Sequence, residues 1–341
     1  YTHLNPANLP LEPVLDAQGE PVVCSVKIAA STIRFHAWRV NIGRIPVYLL
    51  DTNRPENEPM YRDLTLRVYG GDSTTRIMQE ILLGVGGVRL LRTLGVQPST
   101  FHMNEGHAAF LTLELMREKI AAGTGFTEAG TETRKQCLFT THTPVEAGHD
   151  RFSSDLMGYA GHPFTSDLHI NHQALMNLGR VVADNEAEPF CMTVLALKYS
   201  RAANGVSELH GAVSREMWME LYGAKHPDEV PIGHVTNGVH ARTWLAPEAE
   251  TFWKQNIGLD LDRVETGDDP WAKVETVDPA ALWDLRNTLR NRLVHFVRER
   301  LVMQAMRRGD APDSSMRALA AFNPQALTIG FARRFATYKR A

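Results

Sequence analysis

Cysteine is scarce: Cys24, Cys137 and Cys191 are the only three in 341 residues, and they lie far apart with no paired spacing. That excludes a disulfide framework and the close cysteine pairs of a structural zinc site, and it fits a reducing, cytoplasmic setting. No apolar run approaches the roughly 20 residues that span a bilayer, and nothing at Tyr1 resembles a signal peptide, so no membrane partner is expected. An excess of one charge is also missing. The net charge is -3, with 22% charged and 43% hydrophobic residues, an ordinary globular balance. It gives no electrostatic reason to bind nucleic acid, so any anion site must be local. Fixed-period repeats and low-complexity tracts are absent.

Several catalytic signatures are missing as well. Fourteen histidines invite a metal, since Glu105 and His107 flank a glycine and His142 follows a strand-like run. Yet there is no His-Glu-x-x-His pair on one helical face, and no metal is expected. His149 and His162 read as loop or surface residues. Gly84, Gly86 and Gly87 interrupt a helical pattern instead of joining a strand to a helix start, so they mark close helix packing and not a dinucleotide fingerprint. No Gly-x-Ser-x-Gly elbow is present, which removes the usual signature of a nucleophilic serine.

What is there alternates strands with helices. After a proline-bearing lead-in over the first 18 residues, strand-like runs cover Val22 to Ile28, Ile33 to Val40 and Ile45 to Leu50. The last is almost wholly apolar, as expected of a strand covered on both faces. A turn at Gly70 to Ser73 opens a helix with Ile77, Ile81, Val85 and Val88 on one stripe. A strand-turn-helix unit then recurs with polar residues at each turn. Thr100 to Met103 leads to Asn104-Glu105-Gly106-His107 and a helix with Ala109, Leu113, Met116 and Ile120 on one face. Leu138 to Thr141 leads to His142-Thr143-Pro144. Asn204 to Ser207 opens a helix carrying Leu209, Val213 and Met217, and Val230 to Val235 leads to Thr236-Asn237-Gly238.

This order predicts an α/β fold with a mostly parallel sheet, where ligands bind outside the carboxyl ends of the strands. A long helix follows an acidic loop, with Leu282, Leu285, Leu289, Leu293 and Phe296 inward and Arg286, Arg290 and Arg298 on a solvated face. Pro312 and Pro324 bracket a less regular stretch. The chain closes with an apolar run, Leu327 to Phe331, read as a strand feeding Arg333, Arg334 and Lys339 into an oxyanion-gripping loop. Asn104, Glu105, His142 and Asn237 offer amide, carboxylate and imidazole groups suited to sugar hydroxyls. Both ends read as cut.

These segments resemble the α-glucan phosphorylases, the glycogen, starch and maltodextrin phosphorylase family, and most closely its shorter bacterial and archaeal members. The matching stretches are Tyr69 to Asp72, His102 to His107, Thr140 to Pro144, Asn204 to Ser207, His234 to Val239 and Arg333 to Arg340. The resemblance implies a Rossmann-like sheet as the N-terminal half of a two-domain GT-B architecture. Residues 1–315 would form the glucan-binding domain, and 316–341 the linker, first strand and phosphate loop of a cofactor domain.

It further implies a catalytic set of His142, Arg334 and Lys339, with His142 lining the glucosyl subsite. Asn104, Glu105 and Asn237 would bind substrate, and Arg333 would face the phosphate of pyridoxal 5'-phosphate. The lysine that carries this cofactor would lie beyond residue 341, leaving the isolated chain inactive. Its partners would be α-1,4-glucan and inorganic phosphate, with homo-oligomers possible at full length. Two other readings stay open: a nucleotide-sugar glucosyltransferase such as glycogen or starch synthase, and a non-catalytic glucan-binding remnant.

Overall fold

In the computed structural model, residues 4–68, 71–261, 263, 269 and 271–332 are described. The chain forms two compact units, Tyr1–Asn237 and Gly238–Ala341.

The first unit begins with an antiparallel layer. Strand β1 (Glu12–Pro13) and β2 (Cys24–Ile28) flank the long β3 (Ser31–Ile42), and β4 (Ile45–Asp51) folds back along the second half of β3. Strand β2 alternates inward Cys24, Val26 and Ile28 with outward Ser25 and Lys27, the period-two signature of a half-covered sheet. The sequence reading of β4 as buried on both faces is wrong. Among the described residues it pairs only with β3, and Ile45 and Leu49 are exposed, because a hairpin partner has no crossover helix laid over its second face.

Four further strands form a separate, all-parallel sheet in the order β10–β9–β6–β5. They are β5 (Phe101–Asn104), β6 (Cys137–Thr140), β9 (Ala202–Gly205) and β10 (Ile232–His234). A short antiparallel pair, β7 (Arg151–Phe152) and β8 (Phe190–Cys191), lies between β6 and β9 in the chain. Parallel strands need crossovers, and helices such as Leu111–Ala121, Phe126–Gln136 and Glu208–Met217 supply them. The fold is therefore α/β with a parallel sheet and flanking helices, as the alternating pattern predicts.

The helix opened by Asp72, whose carboxylate accepts from Thr75 N at 2.9 Å, runs from Ser73 through a π-turn at Leu82–Gly86 to Thr93. Its predicted stripe of Ile77, Ile81, Val85 and Val88 is buried. The glycines in the turn act by close packing, as expected: a Cβ on Gly84 would stand 2.7 Å from Leu111 N. Helix Leu111–Ala121 is buried nearly all round its first two turns. Its Glu114 is enclosed and accepts paired bonds from Arg89 and Arg117, while Arg89 also donates to Ser25 O on β2.

Two further expectations need correction. Helix Glu208–Met217 turns His210, Gly211 and Ser214 inward and leaves Leu209 exposed, because Gly211 lies against His234 on β10, where a Cβ would be 3.0 Å away. His149 is buried: its Nδ1 is hydrogen-bonded with Thr193 Oγ1 at 2.8 Å, and its ring meets Trp218 edge-on at 5.1 Å. Burial pushes its pKa down. His162 is exposed as expected.

In the second unit the long helix Pro279–Arg308 buries Leu285, Val294 and Ala305, whereas Leu293 and Phe296 are exposed. Leu285 and Val294 are nine residues apart and so fall on opposite faces at 3.6 residues per turn, which means no single stripe faces inward along the helix. Two of its arginines are not merely solvated. Arg290 donates to Pro324 O, and Arg298 donates to Ala321 O and Phe322 O, fastening the segment that follows helix Pro312–Ala320. The strand expected at Leu327 to Phe331 is absent. Leu327 and Ile329 are about 84% and 85% exposed, and without a neighbouring strand the backbone has no ladder to join. Among the described residues no helix is long and apolar enough to cross a membrane.

Candidate functional site

The register of the parallel sheet aligns the polar residues. Asn104 on β5 sits opposite Thr140 on β6, and Thr140 sits opposite Asn204 on β9, so three strands end on one rung. His102, two residues before Asn104 and on the same face, touches Thr140 Oγ1 through Nε2 at 2.7 Å. Thr140 donates onward to Asn204 Oδ1 at 3.0 Å, and Asn204 Nδ2 donates to Gly205 O. Because the threonine hydroxyl has one proton and gives it to Asn204, His102 must be the donor at Nε2.

Beyond that rung the loops cross-link. Glu105 N donates to Thr140 O at 2.8 Å, Thr141 N to Asn204 O at 3.0 Å, and Asn237 N to Val206 O at 3.0 Å. His142 Nε2 donates to Asn104 Oδ1. The Glu105 carboxylate accepts from Gly106 N at 3.0 Å, from His142 N at 2.7 Å and from Thr143 Oγ1 at 2.9 Å. Glu105 holds φ 72° and ψ 171°, a backbone region that costs a side-chain-bearing residue about 1–3 kcal/mol.

Asn104, Glu105 and His142 are thus brought into one hydrogen-bonded group. Asn237 lies in the loop three residues past the end of β10, and β10 is two strands from β6, about 10 Å across the sheet. Asn104, His142 and Asn237 are all exposed. Arg333, Arg334 and Lys339 lie outside the described residues, as do Tyr69 and Gly70 of the quoted motif.

A charged cluster fixes the loops behind this edge. Arg76, on the helix after Asp72, pairs with Glu80 at 3.1 Å and with Asp150 at 3.1 Å; His107 Nδ1 lies 3.0 Å from Asp150 and 3.2 Å from Glu80. It ties that helix to the Gly106–Ala108 turn and to the loop entering β7. Burial pushes Glu80 up to about 8 and Asp150 adds to the rise, against the pull of His107 and Arg76. Burial works to lower His107, but its hydrogen bonds to Asp150 and Glu80 win and raise the ring to about 9. Burial also works to raise Asp150, yet bonds with His107, Glu80 and Arg76 hold it well below the usual carboxylate range.

Glu80, His107 and Asp150 present ligand atoms within 4.8 Å of one another, a spacing open to a metal. Arg76 already supplies positive charge among them, so the cluster reads as an ion-pair bolt.

The raised groups set a sign. Glu80 and His107 both bind protons more tightly when folded, so their stabilisation is complete below their unfolded pKa values and is lost as pH climbs toward 8 and 9. Stability is therefore expected to fall between about pH 5 and pH 9, and more gently in Glu80→Gln. Urea midpoints across that range measure this; a slope unchanged by the substitution would contradict it.

The sequence reading missed His102, Thr140 and the Arg76–Glu80–His107–Asp150 cluster. Strand alternation places His102 on the face of Asn104, so that signal was available. Nothing local marks the other group, whose members come from three separated segments.

An open parallel sheet with polar side chains gathered at its strand ends places a ligand outside its carboxyl edge. A comparison with protein families matches residues 90–262 to the carbohydrate phosphorylases, and the chain belongs to that family. Its relatives include the glycogen phosphorylase of Mycobacterium tuberculosis strain H37Rv, 44% identical over the whole of this chain and 40% of the relative. The maltodextrin phosphorylase of Thermococcus litoralis is 36% identical with the same two coverages, and the glycogen phosphorylase of Aquifex aeolicus is 31% identical over 97% of this chain and 47% of its own length. The chain thus spans about two-fifths of the length of the first relatives.

Proposed function

We propose that this chain is the glucan-binding part of an α-glucan phosphorylase, which releases glucose 1-phosphate from the non-reducing end of α-1,4-glucan. The observation that carries the reading is the rung of strand ends where Asn104, Glu105 and His142 are mutually bonded, in a chain of this family. Residues 1–315 would be the N-terminal half of a GT-B enzyme and 316–341 the link to its cofactor domain and phosphate loop. A cytoplasmic setting suits these substrates.

In this mechanism a sugar hydroxyl donates to His142 Nδ1, which is free to accept because Nε2 carries the proton given to Asn104. The exposed Asn237 amide holds a second hydroxyl, and the two fix the ring against rotation. Inorganic phosphate protonates the glycosidic oxygen, the bond from C1 to that oxygen breaks, and a phosphate oxygen then bonds C1 on the same face, retaining configuration. Positive charge developing at C1 is met by the His142 carbonyl.

The described edge offers imidazole, amide, hydroxyl and carboxylate groups and does not fit the phosphate of pyridoxal 5'-phosphate, which needs cations. That cofactor and the substrate phosphate would rest on other residues, Arg333 for the first and Arg334 with Lys339 for the second.

The full-length protein is expected to make glucose 1-phosphate from maltodextrin and phosphate and to ignore ADP-glucose and UDP-glucose. Glucosyl transfer from either nucleotide sugar would favour a synthase instead. Asn237→Ala is expected to lower kcat/KM for maltodextrin about 30-fold, the loss of about two sugar hydrogen bonds, with the KM for phosphate unchanged. A kcat/KM equal to that of the wild type would remove Asn237 from the sugar site.

A further inference from the structure

We propose that Glu105 is a positioning residue that holds the His142 loop in its reactive shape, and that it does not bind the glucan. This rests on the phosphorolysis reading above and changes the role that the sequence resemblance implies for Glu105.

The carboxylate is already committed. Oε1 accepts from Gly106 N, and Oε2 accepts from both His142 N and Thr143 Oγ1. Three donors on one half-buried carboxylate leave it poorly placed to take a sugar hydroxyl, whereas Asn104 and His142 beside it are exposed. The bonds to His142 N and Thr143 Oγ1 join β5 to the loop after β6, so they set the path of the backbone whose carbonyl faces the reacting carbon. Asn104 holds the same residue from its ring side. His142 is gripped at both ends by consecutive residues of one turn.

Backbone geometry supports the assignment. Glu105 occupies a φ of 72° that favours glycine, yet it bears a long side chain directed back across the turn. That conformation is held from both sides. Glu105 N is bonded to Thr140 O, and Gly106 is packed so closely that a Cβ would lie 3.2 Å from Met192 Cβ. One residue later, His107 is bonded into the Asp150 and Glu80 cluster. Strain kept in place by three independent anchors, beside a side chain that braces a neighbouring loop, is the pattern of a preorganised site.

The test uses the full-length protein with Glu105→Ala, Glu105→Gly, Thr143→Val and the Glu105→Ala/Thr143→Val pair. Glycine suits the backbone angle, so it guards against a folding failure in the alanine variant. At saturating phosphate, loss of the carboxylate is expected to lower kcat about 100-fold, the scale of a misplaced reacting group, with the maltodextrin KM within about twofold. Thr143→Val should give a smaller loss, and the pair no more than Glu105→Ala alone, since both break one linkage.

Hydrogen exchange at the His142 amide should quicken about tenfold or more in the glycine variant. A raised KM with kcat intact would make Glu105 a sugar ligand and overturn the proposal, as would unchanged exchange. If the wild type makes no glucose 1-phosphate but exchange still quickens, the brace stands and the phosphorolysis reading falls.

Discussion

Phe110→Ala is expected to lower the unfolding free energy by about 3–5 kcal/mol, the usual cost of emptying a large aromatic site in a packed core. Phe110 is fully buried and stacks between Phe164 at 5.2 Å and Phe190 at 6.0 Å, with interplanar angles of 26° and 23°. Each such pairing adds about 0.5–1.5 kcal/mol beyond area burial. Its neighbours come from helix His162–Leu168 and strand β8, so one ring joins three segments. It also closes the turn that begins at Glu105, so its loss should loosen the site as well as the core. Urea unfolding of the variant, with the slope unchanged and the midpoint lowered, measures the effect. A loss below about 1 kcal/mol would mean the core collapses into the gap or that the stack is not formed.

Gly84→Ala is expected to cost about 3 kcal/mol, at the upper end for overpacking. The new methyl would meet Leu111 N at 2.7 Å and both Ala108 O and Phe110 C at 3.0 Å, all backbone atoms that cannot swing aside as a side-chain tip would. The helix carrying Gly84 would have to move away from the Phe110–Leu111 junction. Gly87, three residues on, is the internal control, since nothing lies within 4 Å of a Cβ there. Gly87→Ala should be stabilising by about 0.5–1 kcal/mol, because alanine is the better helix former. Equal effects at the two positions, measured by thermal unfolding, would show that helix propensity rather than packing decides both.

The parallel sheet was legible because each strand run is short, apolar and followed by a polar turn and a periodic helix, from Phe101 to Ile120 most clearly. The turn residues Asn104, Glu105, His142 and Asn237 were visible as candidates for the same reason. The bonding of Asn104 and Glu105 to His142 was not, because it depends on register: only the pairing of Asn104 with Thr140 and of Thr140 with Asn204 shows that these strand ends share a rung.

Strand β4 was misread because an apolar run has no periodicity to separate a hairpin edge from a covered strand. Leu209 and Phe296 read as members of apolar stripes, whereas the backbone approach at Gly211 and the burial of Leu285 and Val294 on opposite faces of the long helix leave both exposed. His149 does lie in a loop, but its burial there was not legible because its partners, Thr193 and Trp218, lie more than forty positions away.

The central claim is that the carboxyl edge of the parallel sheet holds the terminal glucosyl unit of the glucan. A crystal structure of the full-length protein with a bound maltooligosaccharide addresses it directly. A sugar ring is expected whose hydroxyls lie within hydrogen-bond distance of His142 Nδ1 and the Asn237 amide, with the Glu105 carboxylate still on His142 N and Thr143 Oγ1. A glucan bound elsewhere on the protein, with no sugar contact at His142 or Asn237, would contradict it.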